Sequence, residues 1–401
     1  MGRPESDLVE RYLELGLRLG RHVDGLVDAY YGPEPLRRSV TAEPLRSGEQ
    51  LRGDARRLIA GLDDGAGLST QRRRWLRAQV IGLSTVAAKL AGEDISYSDE
   101  VERCYGVRPR LVDTEEIAEA HRRLDSSLSG AGPLLDRLAA FRDAHAIAPD
   151  RLGGVVEDLA ADFRERTAAM FGLPEGEHVD FELVSNQPWS GFNYYLGNLR
   201  SRVAINTDLP VLATAIGHLV AHEAYPGHHT EHSRKEAGLL RRRGHLEESI
   251  FLVGTPQCLL AEGLADLGME VLLGDDRISV VGDHLRRHRV RYDTEAVEAV
   301  AEMSEISARA RGNIGLMLHQ EGRSADDVVS WAQRWLLLDA KRAEKAVEFQ
   351  MDPTWRSYIS CYVEGLPLCR RFVDGDPLRF ERLISEQLVP EDLAAPITDG
   401  G

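Results

Sequence analysis

Two histidines six residues apart, His222 and His228, with Glu223 directly after the first and Pro226-Gly227 between them, are the residues of this chain best suited to chemistry. Neutral imidazoles and carboxylates are ligands of zinc, and a familiar arrangement sets two His at i and i+4 on one helix face with a Glu after the first as general base. Here position i+4 is Pro226, and the second His arrives at i+6. In an unbroken helix six residues turn by about 600°, which would leave His228 roughly 120° round from His222 and about 9 Å along the axis. Pro226 lacks an amide hydrogen and clashes with the carbonyl four residues back, while Gly227 tolerates backbone angles closed to other residues. The helix must bulge or break, and a local bulge of two residues would return His228 to the face of His222.

Rivals stand close by. Six of the thirteen histidines lie between positions 218 and 245. His218 and His222 have a regular i, i+4 spacing, as do His228 and His232, so either pair can meet a cation without distortion. With His218 as a ligand, however, the Glu would follow the second ligand instead of the first, and with His232 it would stand far from the metal. His218, His229 and His232 are therefore expected beside the metal or facing substrate. The bland reading is a surface helix that merely happens to be His-rich. A third ligand weighs against it: Glu262 lies among Leu259, Leu260, Ala261, Leu264, Ala265 and Leu267, where a carboxylate is costly unless paired or bound to a cation.

The expected set is thus His222, His228 and Glu262 on Zn²⁺, with Glu223 as base. Asp266, one turn beyond Glu262, is spaced to accept the free ring N–H of a zinc-bound His and fix its tautomer, whereas Glu270 reads as a solvated helix edge. Tyr362, with Tyr358 second, is the expected donor to an oxyanion; aromatic packing with a wet hydroxyl is the competing reading for both.

These residues need elements to hold them. Apolar side chains recur at helical spacing over 7–31, 71–91, 114–146 and 152–171, and again over 211–224, 247–272, 280–320, 325–349 and near 376–388. Between Val179 and Asp208 the pattern predicts two short strands, the second over Ser201–Asn206, around a long turn containing Trp189–Tyr195. The edge of the 201–206 strand would pair with an extended peptide, and Arg200 and Arg202 would meet a substrate carboxylate or sit in surface ion pairs. Asp275 and Asp276 read as a helix-terminal turn. The expected fold is mainly α, a multi-helical zincin-like metallopeptidase fold with a short β-hairpin near the active site. A helical N-terminal region, 1–175, and a catalytic region, 176–401, would form one continuous domain.

Bulk composition narrows the function. The 401 residues are 43% apolar, enough for a sizeable core, and 65 acidic against 49 basic side chains give a formal charge of -16. That charge repels phosphate backbones and anionic lipid surfaces, so neither nucleic acid nor membrane is an expected partner. No stretch reaches the roughly 18 apolar residues of a membrane span, the N-terminus carries no signal-like apolar run, and its match to an acylation pattern has no second anchoring signal. A cytoplasmic protein is expected, its four cysteines reduced and mostly buried.

HEAYPGHH at 222–229, PWSGFNYYLGNLRSRVAINTDLP at 188–210, AEGLADLG at 261–268 and YISCYVEGLPL at 358–368 resemble the bacterial domain-of-unknown-function 885 family, whose members look like zinc peptidases with an expanded HExxPGHH motif. The resemblance covers most of the second half and implies His222 and His228 as ligands, Glu223 as base and Glu262 as third ligand. It departs at Leu264, where the family usually has Trp. The function so implied is a zinc-dependent hydrolase cleaving short peptides. A zinc hydrolase of a non-peptide amide or ester, or a non-catalytic metal-binding helical protein, are the competing expectations.

Overall fold

The computed structural model describes residues 4–64, 67–187 and 189–394; Met1-Gly2-Arg3, Gly65-Ala66 of the Gly65-Ala66-Gly67 segment that reads from its sequence as a turn, Pro188 and residues 395–401 lie outside the described residues. The fold is mainly helical, and side-chain caps start many of the helices. Ser47 and Gln50 form a reciprocal capping box, and Ser69, Ser96, Asp293 and Ser324 each accept an orphan N–H of the first turn. Among the described residues no helix is long and apolar enough to cross a membrane.

Helix Pro256–Leu273 is the axis of the molecule. It is apolar around nearly its whole circumference and correspondingly buried, as a helix without a polar face must be. Helix Ile359–Val373 lies against it through two glycines. A Cβ on Gly263 would stand 2.8 Å from Cα of Gly365 and nearer still to that residue's carbonyl group, so the two backbones touch. The close approach carries Tyr358 and Tyr362 to the helix that bears Glu262.

The predicted helix over 7–31 is only partly formed. Helix Pro4–Gly20 is followed by strand β1, Val27–Tyr30, which pairs antiparallel with a short strand from far along the chain, Ile250–Leu252. Val23, Leu26 and Val27 continue the helical period, but pairing with that distant segment overrides it. For the same reason the predicted helix over 247–272 begins only at Pro256. The long helices expected over 114–146, 280–320 and 325–349 are broken into shorter ones by turns.

Three further strands form a separate sheet: β2 (His178–Val184), β3 (Gly191–Gly197) and β4 (Arg200–Asn206); the Ile250–Leu252 strand is β5. The order is β2-β4-β3, with β2 parallel and β3 antiparallel to β4. The aromatic stretch read as a turn is therefore itself a strand. Its alternation places Asn193 and Tyr195 on one face and Phe192, Tyr194 and Leu196 on the other, a period of two with aromatics that suits a pleated strand. The hairpin turn is Asn198-Leu199, both at positive φ (54° and 61°), as a two-residue type I′ hairpin turn requires. Because β4 is central, β3 presents the open edge that was expected of 201–206. Val203 and Ile205 of β4 pack with Leu159, Phe163, Ile216 and Val220, which seats the sheet on the first histidine helix.

Candidate metal centre

Helix Ala213–Glu223 stops where the sequence says it must, one turn before a proline, and a second helix, His228–Lys235, restarts beyond it. The connection is a break, not a bulge within one helix. Its backbone is nevertheless closed: Gly227 N donates to Ala221 O at 2.9 Å and Thr230 N to Ala224 O at 3.3 Å, each reaching six residues back. The two extra residues are looped out, and the chain resumes over its own previous turn. Only glycine fits at 227, since a Cβ there would fall on the carbonyl oxygen of His222.

The result brings His228 Nε2 to 3.1 Å from His222 Nε2. Glu262 Oε2 stands 3.4 Å from the first ring nitrogen and 3.7 Å from the second. Zinc binds His N and carboxylate O at about 2.0–2.2 Å, so two ligand atoms at tetrahedral angles are separated by about 3.3–3.5 Å. The three edges of this triangle bracket that value. Glu262 Oε2 is buried and has no hydrogen-bond partner, an arrangement that is costly for a carboxylate oxygen and that a cation in the triangle would relieve. Burial alone would raise the pKa of Glu262, but the two imidazoles hold it down to about 2. On these observations the residues present fit a zinc ion.

The surrounding groups orient the triangle. His222 Nδ1 lies 2.9 Å from Asp266 Oδ1; with the proton on Nδ1, the Nε2 lone pair faces Glu262 and His228. Tyr358 donates its hydroxyl to the other oxygen of Glu262 at 3.3 Å, and the Tyr362 hydroxyl lies 3.0 Å from that of Tyr358. Glu223, the last residue of the first helix, is buried; burial raises its pKa above the ordinary carboxylate range, against the pull of His222 and His228. Its Oε1 faces Gly191 at the start of β3, and its main-chain carbonyl accepts from Asn193 Nδ2 at 2.6 Å. Glu223 is thus set beside the open sheet edge.

The other histidines fall elsewhere. His218 Nε2 lies 3.3 Å from Asp266 Oδ1, so His218, His222 and Asp266 form a second group with ligand atoms close together. It shares His222, but through the opposite ring nitrogen. His232 is buried, stacked on Tyr195 with ring centroids 4.8 Å apart and edge-on to Phe251. His229 bridges Ser201 Oγ and Glu177 Oε2 at 2.8 Å each; Glu177 also accepts from Tyr225 at 2.7 Å and pairs with Arg164. This network bolts the second histidine helix to the sheet. Arg200 pairs with Asp180 and Arg202 with Glu182, so both of these arginines are engaged on the sheet surface, and Glu270 shares Arg370 with Glu305.

Sequence reasoning missed Asp28. It lies in β1 between Val27, opposite Leu252, and Ala29, opposite Phe251, and so is the extra residue of a β-bulge. Burial pushes its carboxyl up to about 7, and the charges acting on it are those of His228, Glu262 and Glu223. Nothing local marks it, because its surroundings in sequence continue a helical period.

No family model and no curated protein matches the chain. Among solved structures it is similar to a protein from Colwellia psychrerythraea named as a lipoprotein, with TM-score 0.52 and 14% identity over 87% of this chain and 69% of that one. It is also similar to a protein of unknown function from Shewanella oneidensis, likewise named as a lipoprotein (TM-score 0.48, 11% identity, 90% and 75% covered), and to an M32 carboxypeptidase from Deinococcus radiodurans R1 (TM-score 0.41, 12% identity, 98% and 94% covered). At such identity the likeness to the first is one of fold alone.

Proposed function

We propose that the chain is a zinc-dependent hydrolase with a zincin-like catalytic arrangement, cleaving the amide bonds of short peptides, in keeping with the resemblance to the domain-of-unknown-function 885 family. The observation that carries this reading is the half-buried triangle of His222 Nε2, His228 Nε2 and Glu262 Oε2, whose atoms lie within 4.8 Å of one another, with Glu223 next in sequence to one of its corners. When bound by these three residues, zinc supplies Lewis acidity, lowering the pKa of water towards about 7 and polarising a carbonyl.

The remaining chemistry belongs to side chains of the chain. Glu223 takes a proton from the attacking water and passes it to the leaving nitrogen; a base whose pKa is raised by burial suits both halves of that transfer near neutral pH. Asp266 keeps the Nε2 of His222 free of its proton, and Tyr358 holds Glu262 in place. Tyr362, beside Tyr358, is the donor assigned to the developing oxyanion. The open edge of β3 offers main-chain N–H and C=O groups to an extended substrate directly beside Glu223, which favours recognition of backbone over side chains. All four cysteines are free and buried, which accords with a reducing, cytoplasmic setting.

Metal analysis of protein purified without added zinc, paired with assays on two variants, tests this reading. One equivalent of zinc is expected, lost in His222→Ala. Glu223→Gln is expected to keep the metal and to lose peptide turnover by at least about 10²–10⁴-fold. Turnover surviving in Glu223→Gln would refute the mechanism, and esterase activity without peptidase activity would move the substrate to a non-peptide acyl compound.

A further inference from the structure

The bulge that carries Asp28 points to what the site receives. In a regular strand Asp28 would take a place in the β1–β5 ladder; the irregularity between Val27 and Ala29 leaves it without a partner across the strand and frees its side chain to be aimed elsewhere. Tyr31, three residues on, packs on Tyr195 and Gly197, which sets this bulged strand beside β3. The charges of His228, Glu262 and Glu223 act on the Asp28 carboxylate, and its own charge is felt in turn by Cys258, one turn before Glu262 on the central helix. No hydrogen bond or ion pair among the described residues reaches it. A half-buried carboxylate lacking a cation is costly, and the charges that act on it include two further carboxylates.

A second acceptor lies on the neighbouring strand. Asn193 donates Nδ2 to the main-chain carbonyl of Glu223, which leaves its buried Oδ1 with no donor. Asn193 shares a face of β3 with Gly191, which meets the Glu223 carboxylate, and with Tyr195 and Gly197, which pack on Tyr31 just after β1. Neither acceptor is paired with a cation among the described residues, and Arg200 and Arg202 are committed to Asp180 and Glu182.

We infer that Asp28, seconded by Asn193 Oδ1, receives the free α-ammonium group of the substrate, so that the site takes peptides with an unblocked N-terminus and releases the first residue. The inference rests on the hydrolase reading above and narrows it. An α-amino nitrogen is only about 2.5 Å from the carbonyl carbon of its own residue, so its acceptor must stand close to the metal ligands and the base, whose charges are those that act on Asp28. An ammonium brings three donors and the missing positive charge.

Calorimetric titration of the zinc-loaded protein with leucine hydroxamate and with N-acetyl-leucine hydroxamate tests the inference without requiring turnover. The free amine is expected to bind about 10- to 100-fold more tightly, the worth of a charge-assisted hydrogen bond, and Asp28→Asn is expected to reduce that preference to less than about threefold with zinc content unchanged. Equal affinities in the native protein, a comparison that needs no variant to fold, would overturn it; so would a preference that survives in Asp28→Asn. The two readings fail separately. A hydroxamate preference without hydrolysis of any peptide keeps the amine site and sinks the peptidase, whereas cleavage of N-acetylated and free peptides at equal rates does the reverse.

Discussion

Replacing Asp266 by Asn decides which of two adjoining groups holds the metal. His222 belongs to both: its Nε2 faces Glu262 and His228, and its Nδ1 faces Asp266, with His218 beyond. If the cation sits in the first group, Asp266 is an anionic acceptor that fixes the tautomer and increases the basicity of Nε2. A hydrogen bond to a charged partner is worth about 1.5–3 kcal/mol, which at 1.4 kcal/mol per decade is about a 10- to 100-fold change in metal affinity. The amide that Asp266→Asn introduces can still accept through its oxygen, so the geometry persists and only the charge-assisted part of the bond disappears; the expected loss lies at the lower end, about tenfold. The assay is zinc titration of the stripped protein against a fluorescent chelator of known affinity, with His228→Ala as companion and circular dichroism to establish folding. In His228→Ala a ligand is gone, and the loss should exceed that of Asp266→Asn by at least about another tenfold. An affinity within about twofold of the native value in Asp266→Asn would show that the hydrogen bond does nothing for the metal. A loss beyond about a thousandfold, with His228→Ala nearly harmless, would place the cation in the His218 group and reverse the ligand assignment.

Gly263→Ala should destabilise the fold by about 1–3 kcal/mol or more, read as a lower urea midpoint, because the new methyl meets the Gly365 backbone and no flexible side chain can yield; an unchanged midpoint would contradict the helix contact. Glu177 carries a pH dependence whose sign follows from its partners: burial would raise its pKa, but bonds from His229, Tyr225 and Arg164 hold it at about 2 against a usual 4.5. Its contribution is therefore fully present above pH 4.5 and lost as pH falls through about 2, so the stability gap between native protein and Glu177→Gln should shrink over that interval; a gap constant with pH would refute the pairing. Tyr358→Phe should weaken zinc binding through Glu262, whereas Tyr362→Phe should lower kcat with zinc affinity intact; identical effects of the two variants on both quantities would erase the distinction.

The sequence by itself determined the chemical cast. A proline at i+4 and a glycine at i+5 after His222 forbid a continuous helix, Glu262 stands out as a carboxylate in an apolar helix, and Asp266 follows at one helical turn; each of these signals lies within a few residues and depends only on backbone stereochemistry or desolvation. Tertiary structure decided the rest. Whether the helix bulges or breaks depended on Gly227 and Thr230 finding carbonyls six residues back, and whether His229 faced the site or served as a bolt depended on Glu177 arriving from another element. The aromatic stretch before β4 became a strand because a ladder partner lay across a two-residue turn. Asp28 is the extreme case: its neighbours keep a helical period, and only β5, more than two hundred residues further along the chain, pulls the segment into a bulged strand whose carboxylate feels the charges of His228, Glu262 and Glu223. Local periodicity records which face of a segment is apolar, but not which distant segment will cover it, and strand pairing at that separation is a property of the folded chain alone.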